Sequence, residues 1–242
     1  TPLSMLALAE LADRAGLPAG LLSIVPGAHS APIGDELCSN PIVRKFTFTG
    51  STRIGKMLAA KCTETMKRTS MELGGNAPVI VFDDADLDKA AVGAAASKYR
   101  NSGQTCICAN RILVQEGVYD EFVEKLKGVV GTFNVGDGMD ETSTHGPVIT
   151  RKALEDIKSM VDDAVAHGAE VAAGGSFGED GEQFIEPTIL CNVTDDMRVF
   201  REEIFGPVAP IFKFKTEEEA IAMANDTEFG LAAYLFTKDQ GR

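Results

Sequence analysis

The stretch Asn101-Ser102-Gly103-Gln104-Thr105-Cys106-Ile107-Cys108-Ala109-Asn110 breaks an alanine-rich helical pattern with polar residues and glycine, then passes into a strand pattern. A cysteine held in such a turn can reach solvent, and backbone N–H groups around it can stabilise a thiolate. Cys106 or Cys108 is therefore a candidate nucleophile; the alternative is that both are small buried hydrophobes. A Cys-x-Cys pair without a second pair of ligands does not make a structural zinc site, and it is not the Cys-x-x-Cys of thioredoxin-like enzymes. Cys38, Cys62 and Cys191 lie in helical or strand patterns and read as inert. A thiol nucleophile needs a base or a route for releasing its acyl intermediate. None of His29, His145 and His167 lies in a motif or at metal-ligand spacing, so no metal is expected. Glu72, just ahead of Gly74-Gly75, is the more interesting group, because a carboxylate there can project into a cleft. It can equally be a hinge residue paired with Lys67 or Arg68.

Two further segments could serve a ligand. Gly50-Ser51-Thr52-Arg53-Ile54-Gly55-Lys56 follows a strand pattern and opens a helical one. It matches the phosphate-binding Gly-x-x-x-x-Gly-Lys until Met57, where Ser or Thr would hold magnesium. A nucleoside-triphosphate site therefore lacks its metal ligand, yet a turn that delivers phosphate to a helix N-terminus remains physically sound. A plain tight turn is the alternative. Glu202-Glu203-Ile204-Phe205-Gly206-Pro207-Val208 puts acidic residues and an aromatic ahead of a strand. These residues alone do not choose between a site and a core Phe205 with solvated glutamates.

The elements that must position these groups alternate between helix and strand, the grammar of a parallel α/β sheet. Leu3, Leu6, Ala7 and Leu11, ending at Gly16, predict a helix. Strand is predicted for residues 21–25, a short helix for 34–39 and strand for 43–48. Ile54, Met57, Leu58 and Thr65 then share one helical face. After Gly74-Gly75 the patterns predict strand over 78–82, helix over 87–99 behind an Asp84/Asp86 cap, strand over 111–114 and helix over 119–133. A Gly/Asp loop spans 134–146, a long helix 151–167, a strand 169–172 and a polar loop 174–181. Strand over 207–214, helix over 217–225 and strand over 231–236 complete the pattern. The best boundary is Gly74-Gly75, and two α/β lobes meeting there would leave a cleft.

The chain has 242 residues, room for one large domain or one and a half small ones. Its formal charge is −13, with no basic run to offset it, which argues against nucleic acid and anionic membrane as partners. No apolar stretch approaches the roughly 18 residues of a membrane span. Five cysteines, an odd number without a paired framework, fit a reducing compartment. The sequence opens at Thr1-Pro2 and enters a helical pattern at once, so it reads as part of something longer, and targeting signals are unreadable.

Taken together, these segments resemble the aldehyde dehydrogenase superfamily over essentially the whole chain. Phe48-Thr49-Gly50-Ser51-Thr52-Arg53-Ile54-Gly55-Lys56 looks like its cofactor-phosphate turn, and Met71-Glu72-Leu73-Gly74-Gly75-Asn76 like its catalytic glutamate motif. Gly103-Gln104-Thr105-Cys106 looks like its nucleophile motif, and Glu203-Ile204-Phe205-Gly206-Pro207 like its nicotinamide-ribose motif. Lys98 to Arg111 is most similar to the succinate-semialdehyde dehydrogenase subfamily. There an arginine six residues before the nucleophile holds the substrate carboxylate, here Arg100, and a second cysteine two residues after it forms a redox switch, here Cys108. Cα atoms two residues apart in extended chain lie roughly 6–7 Å apart, so a Cys106–Cys108 bridge would need a local bend.

The resemblance implies an α/β fold in which residues 1–72 are the second part of a Rossmann-like NAD(P)-binding domain and residues 73–242 are most of the catalytic domain. It also implies that the family's chain begins before Thr1 and continues past Arg242. The asparagine that completes the oxyanion hole and the residues that choose NAD over NADP would then lie outside this sequence. The implied reaction is NAD(P)-dependent oxidation of an aldehyde through a thioester on Cys106, with Glu72 activating water. Glu203 is implied to accept from the nicotinamide ribose, Phe205 to pack near the ring, and Thr49, Gly50, Ser51 and Leu73 to line the cofactor. Succinic semialdehyde is the expected substrate, and glutarate semialdehyde the nearer alternative. A homo-oligomer in the cytoplasm or mitochondrion is expected of the whole protein. Little activity is expected of the 242 residues alone, and a non-catalytic piece is a further alternative.

Overall fold

The computed structural model describes residues 2–178 and 182–242, so the end of the 174–181 loop lies outside the described residues. By its contacts the chain divides into two compact units, Thr1–Leu73 and Gly74–Arg242.

The first unit contains α1 (Pro2–Arg14), α2 (Ser30–Ser39), β1 (Lys45–Thr49), α3 (Thr52–Thr63) and β2 (Arg68–Glu72). β1 and β2 run parallel, from Lys45 opposite Arg68 to Thr49 opposite Glu72. Cys38, Phe46, Leu58 and Cys62 form a small core, with Phe48, Ile54 and Met71 packed on it. α1 forms as the periodicity predicts and stops at Gly16 (φ +85°), but it buries none of its residues. The 21–25 segment is not a strand. It finds no ladder partner among the described residues, and Leu21 and Val25 are both 70% exposed. A run of apolar, extended-leaning residues becomes a strand only when a neighbour takes its N–H and C=O groups. α3 ends at Thr63, short of Thr65, and leaves Met57 exposed. β2 is a strand that no residue pattern announced.

The second unit contains β3 (Ala77–Val81), α4 (Leu87–Tyr99), β4 (Ala109–Gln115), α5 (Tyr119–Val130), α6 (Arg151–Ala166), β5 (Glu170–Ala173), β6 (Thr188–Cys191), α7 (Arg198–Arg201), β7 (Val208–Phe214), α8 (Glu217–Asn225) and β8 (Tyr234–Phe236). Its six-stranded sheet has the order β5-β6-β7-β4-β3-β8. All neighbours are parallel except β5 against β6, which is antiparallel. The alternation of side chains splits the core in two. Val79, Val81, Ile112, Val114 and Ile211 pack with Ala90, Ala91, Ala94 and Ala95 of α4 and Phe122 and Leu126 of α5. Leu113, Phe212 and Phe214 pack with Leu154, Ile157 and Val161 of α6 and Phe200 of α7. Both faces of β4 and β7 are covered, which is why burial runs without alternation over residues 109–114 and 208–212. α4 spans the predicted residues, and the Asp86 side chain caps it by accepting from Lys89 N–H. No helix among the described residues is long and apolar enough to cross a membrane.

Candidate active site

In the first unit, the groups expected to meet a cofactor gather at one end of the small sheet. Thr49 and Glu72 are opposite each other at the C-terminal ends of β1 and β2, and Gly50 N–H donates to Glu72 O at 3.0 Å. The carboxyl ends of parallel strands are where open α/β sheets bind ligands. The chain then turns at Gly50-Ser51 into α3. Ser51 is the N-cap residue, yet its side chain makes no capping hydrogen bond, which leaves its hydroxyl available at the helix N-terminus. Leu73 lies against Gly55 of α3, where an added Cβ would come within 2.3 Å of Leu73 Cδ2. Glu72 is exposed and forms no ion pair with Lys67 or Arg68, since Lys67 Nζ instead donates to Asn40 O at 3.0 Å. The exposed hydroxyl-bearing turn and helix start fit a pyrophosphate-bearing dinucleotide.

In the second unit, α4 ends at Tyr99 and the chain enters left-handed backbone at Asn101 (φ +50°), Ser102 (φ +53°) and Gly103 (φ +74°). Two non-glycine residues in that region cost about 1–3 kcal/mol each and need support from their surroundings. Ser102 Oγ donates to Gly146 O at 2.8 Å, and Gln104 Oε1 accepts from Ile149 N–H at 2.8 Å. A hydrogen-bonded turn follows, with Cys108 N–H donating to Thr105 O at 2.8 Å. Cys106 sits inside this turn. The segment between Cys106 and Cys108 is thus bent, not extended.

Of the five cysteines, Cys38, Cys62, Cys108 and Cys191 are buried and Cys106 alone is half-buried. The Cys106 N–H makes no hydrogen bond among the described residues, so it can act as an oxyanion donor. The Cys106 carbonyl lies flat against Gly75, where a Cβ would come within 2.5 Å of the carbonyl oxygen. Only glycine allows that approach. Cys108 turns inward, its Sγ 3.8 Å from Arg100 O. Arg100 is exposed, and its guanidinium makes no ion pair or hydrogen bond among the described residues.

Glu203 Oε1 accepts from Gly75 N–H at 3.1 Å. Burial pushes its carboxyl above the usual range, while the Gly75 N–H and the nearby Lys98 pull it down. Phe205, expected near the nicotinamide, is 42% exposed and left-handed (φ +50°). An aromatic held out in strained backbone favours a binding role over the core role that its type alone suggests.

Several positioning residues had no signal in the sequence. Asn110, 3% exposed, donates through Nδ2 to Asn76 Oδ1 (2.7 Å) and Glu202 O (2.8 Å) and accepts from Ile204 N–H (3.0 Å). It thereby fixes both sides of Glu203. Fully buried Arg111 donates to Asn76 O, Met223 O and Ala224 O. Lys98 is 1% exposed, and no carboxylate pairs with it at ion-pair distance among the described residues. Burial pushes it down to about 8, opposed by Cys108 and Glu203. Tyr234 donates its hydroxyl to Ile107 O at 2.6 Å. Among the described residues no three His, Cys, Asp or Glu side chains converge as for a metal ion.

The aldehyde dehydrogenase family model matches residues 1–242. The chain is 56% identical to the NADP(+) succinate-semialdehyde dehydrogenase of Escherichia coli K12, covering all of this chain and 50% of that protein. It is also 56% identical to the glutarate-semialdehyde dehydrogenase of Pseudomonas aeruginosa, with the same coverage. A crystal structure described as an E. coli NADP-dependent enzyme superposes with a TM-score of 0.97 at 55% identity, covering all of this chain and 50% of the other. The chain thus spans about half the length of the curated relatives it matches.

Proposed function

The chain belongs to the aldehyde dehydrogenase family, and from that membership we infer that the protein oxidises a carboxylate-bearing aldehyde to the acid with NAD or NADP, succinic semialdehyde to succinate being the reaction we assign. The observation that carries the reading is Cys106, the one cysteine of five that is not buried, set in a turn and with its own N–H unengaged among the described residues.

The Cys106 thiolate attacks the aldehyde carbon, and the Cys106 N–H donates to the oxygen that becomes negative. Thr49, Gly50, Ser51 and Leu73 hold the dinucleotide, and Glu203 accepts from its nicotinamide ribose beside Phe205. When bound, the nicotinamide supplies the hydride acceptor. Glu72 then takes a proton from the water that hydrolyses the thioester on Cys106. This explains how a thiol nucleophile works without a histidine base. Arg100, exposed and unpaired among the described residues, meets the substrate carboxylate through paired charge-assisted hydrogen bonds.

The deciding experiment follows the acyl group on the protein. Glu72→Gln should keep the first half-reaction, accumulate a Cys106 acyl adduct visible by intact mass, and lose turnover by about 10²–10⁴-fold, the usual share of a general base. Full turnover in Cys106→Ser would overturn the assignment. The glutarate-semialdehyde relative supports a second substrate one carbon longer, and the ratio of kcat/KM for the two semialdehydes decides between them.

A further inference from the structure

We propose that the Tyr234 hydroxyl, through the carbonyl of Ile107, positions the turn that carries Cys106 and keeps Cys106 from joining Cys108. The effect on turnover rests on the reading of Cys106 as nucleophile; the effect on the turn does not.

The amide between Ile107 and Cys108 is a rigid plane, and it is held from both ends. Its C=O accepts from Tyr234 Oη at 2.6 Å, and its N–H donates to Thr105 O at 2.8 Å. The plane cannot rotate without giving up both bonds. The preceding carbonyl, that of Cys106, is seated against Gly75. Cys108 faces Arg100 O from a buried position while Cys106 stands half open to solvent. To reach Cys106 the Cys108 sulfur must leave Arg100 O, and a swing of the Ile107–Cys108 plane is the backbone motion that would carry it there. Tyr234 opposes that swing from β8, a strand anchored on β3 with Tyr234 opposite Val79. Burial first, then Cys108 and Cys106, hold its phenol above the ordinary tyrosine value, with Arg100 opposing. The phenol therefore keeps its proton at neutral pH and remains a donor.

Oxidation by hydrogen peroxide reads the restraint directly. The Cys106 thiolate takes one peroxide oxygen as the O–O bond breaks, giving a sulfenic acid and one water. The Cys108 thiolate attacks that sulfur, the S–S bond forms, and the S–O bond breaks with loss of a second water. Two thiols give up two electrons and two protons, and one peroxide becomes two waters. Dimedone competes with Cys108 for the sulfenic acid, so the ratio of bridged to dimedone-labelled peptide in a mass spectrum isolates the bridging step.

Tyr234→Phe keeps the ring and removes the hydroxyl. It should raise that ratio about three- to tenfold, the range expected on losing one neutral hydrogen bond, and lower kcat with little change in the aldehyde KM. Tyr119→Phe is the control. It loses a similar phenol-to-carbonyl bond, to Ile211 O at 3.0 Å, away from the turn, and should leave the ratio unchanged. Equal ratios in wild type and Tyr234→Phe, or an equal rise in Tyr119→Phe, would overturn the positioning role. Turnover retained in Cys106→Ser would overturn the nucleophile reading alone, because the bridging ratio needs no turnover.

Discussion

Asn110→Ala should unfasten the loop that carries Glu203, and its cost can be worked from the three bonds the side chain makes. Asn110 is 3% exposed, so water does not freely replace them. Its removal leaves one buried acceptor, Asn76 Oδ1, one part-buried acceptor, Glu202 O, and one buried donor, Ile204 N–H. Each orphaned group costs about 1–3 kcal/mol, and a water entering the vacated space recovers part of the sum. We therefore expect a loss of about 3–5 kcal/mol. At about 2–4 °C per kcal/mol for a protein of this size, the melting temperature should fall by roughly 10 °C. Asn110→Asp sharpens the test, since it keeps the shape and the acceptor but sets a carboxylate against two acceptor oxygens. Burial and those oxygens raise its pKa in the folded state, so the destabilisation is full at neutral pH and shrinks as pH falls and the carboxyl regains a proton to donate. Thermal melts of wild type and both variants at pH 7 and pH 5 measure all of this. A fall of less than about 3 °C in the alanine variant, or an aspartate penalty that does not change with pH, would refute the account of the network.

Two other perturbations test single charges. Lys98 is pushed from its ordinary 10.5 down to about 8 by burial, so the penalty of burying its charge is full below about pH 8 and fades as pH rises toward 10.5. At ~1.4 kcal/mol per pH unit, Lys98→Met should stabilise the protein by ~3 kcal/mol at pH 7 and by much less at pH 10; equal stability of wild type and variant at pH 7 would defeat the reasoning. Arg100→Leu should lower kcat/KM for succinic semialdehyde by roughly 30- to 1,000-fold, from about 2–4 kcal/mol of lost charged hydrogen bonding, and leave butanal nearly unaffected. Similar losses on both substrates would make Arg100 structural.

Elements with strong local signals were legible in the residues. α4 runs over the predicted 87–99 with its Asp86 cap, and α8 over the predicted 217–225, capped by Thr216. The strands that escaped notice have no such signal. β2 reads Arg-Thr-Ser-Met-Glu, largely polar, and β6 is four residues buried on both faces, too short to show a period. The 21–25 segment shows the reverse error, since strand propensity there has no partner to satisfy it. In the site, the motifs pointed to Cys106, Glu72 and Glu203, because a nucleophile or a ribose acceptor has a characteristic local setting. Asn110, Arg111 and Tyr234 act through backbone carbonyls 35 to 127 residues away, and no spacing encodes such a bond.

The order of strands also decides when the thiol turn can be completed. β3 pairs with β4 on one side and with β8, far later in sequence, on the other. As the chain leaves the ribosome, one side of β3 stays open while roughly 150 more residues are made, some ten to thirty seconds at ordinary rates of synthesis. That open side is a template for mispairing until β8 docks. The same strand brings Tyr234 to Ile107, so until β8 is made the nascent chain carries Cys106 and Cys108 in a turn that lacks this hydrogen bond. The restraint on this pair is thus added late, with the docking of β8 on β3.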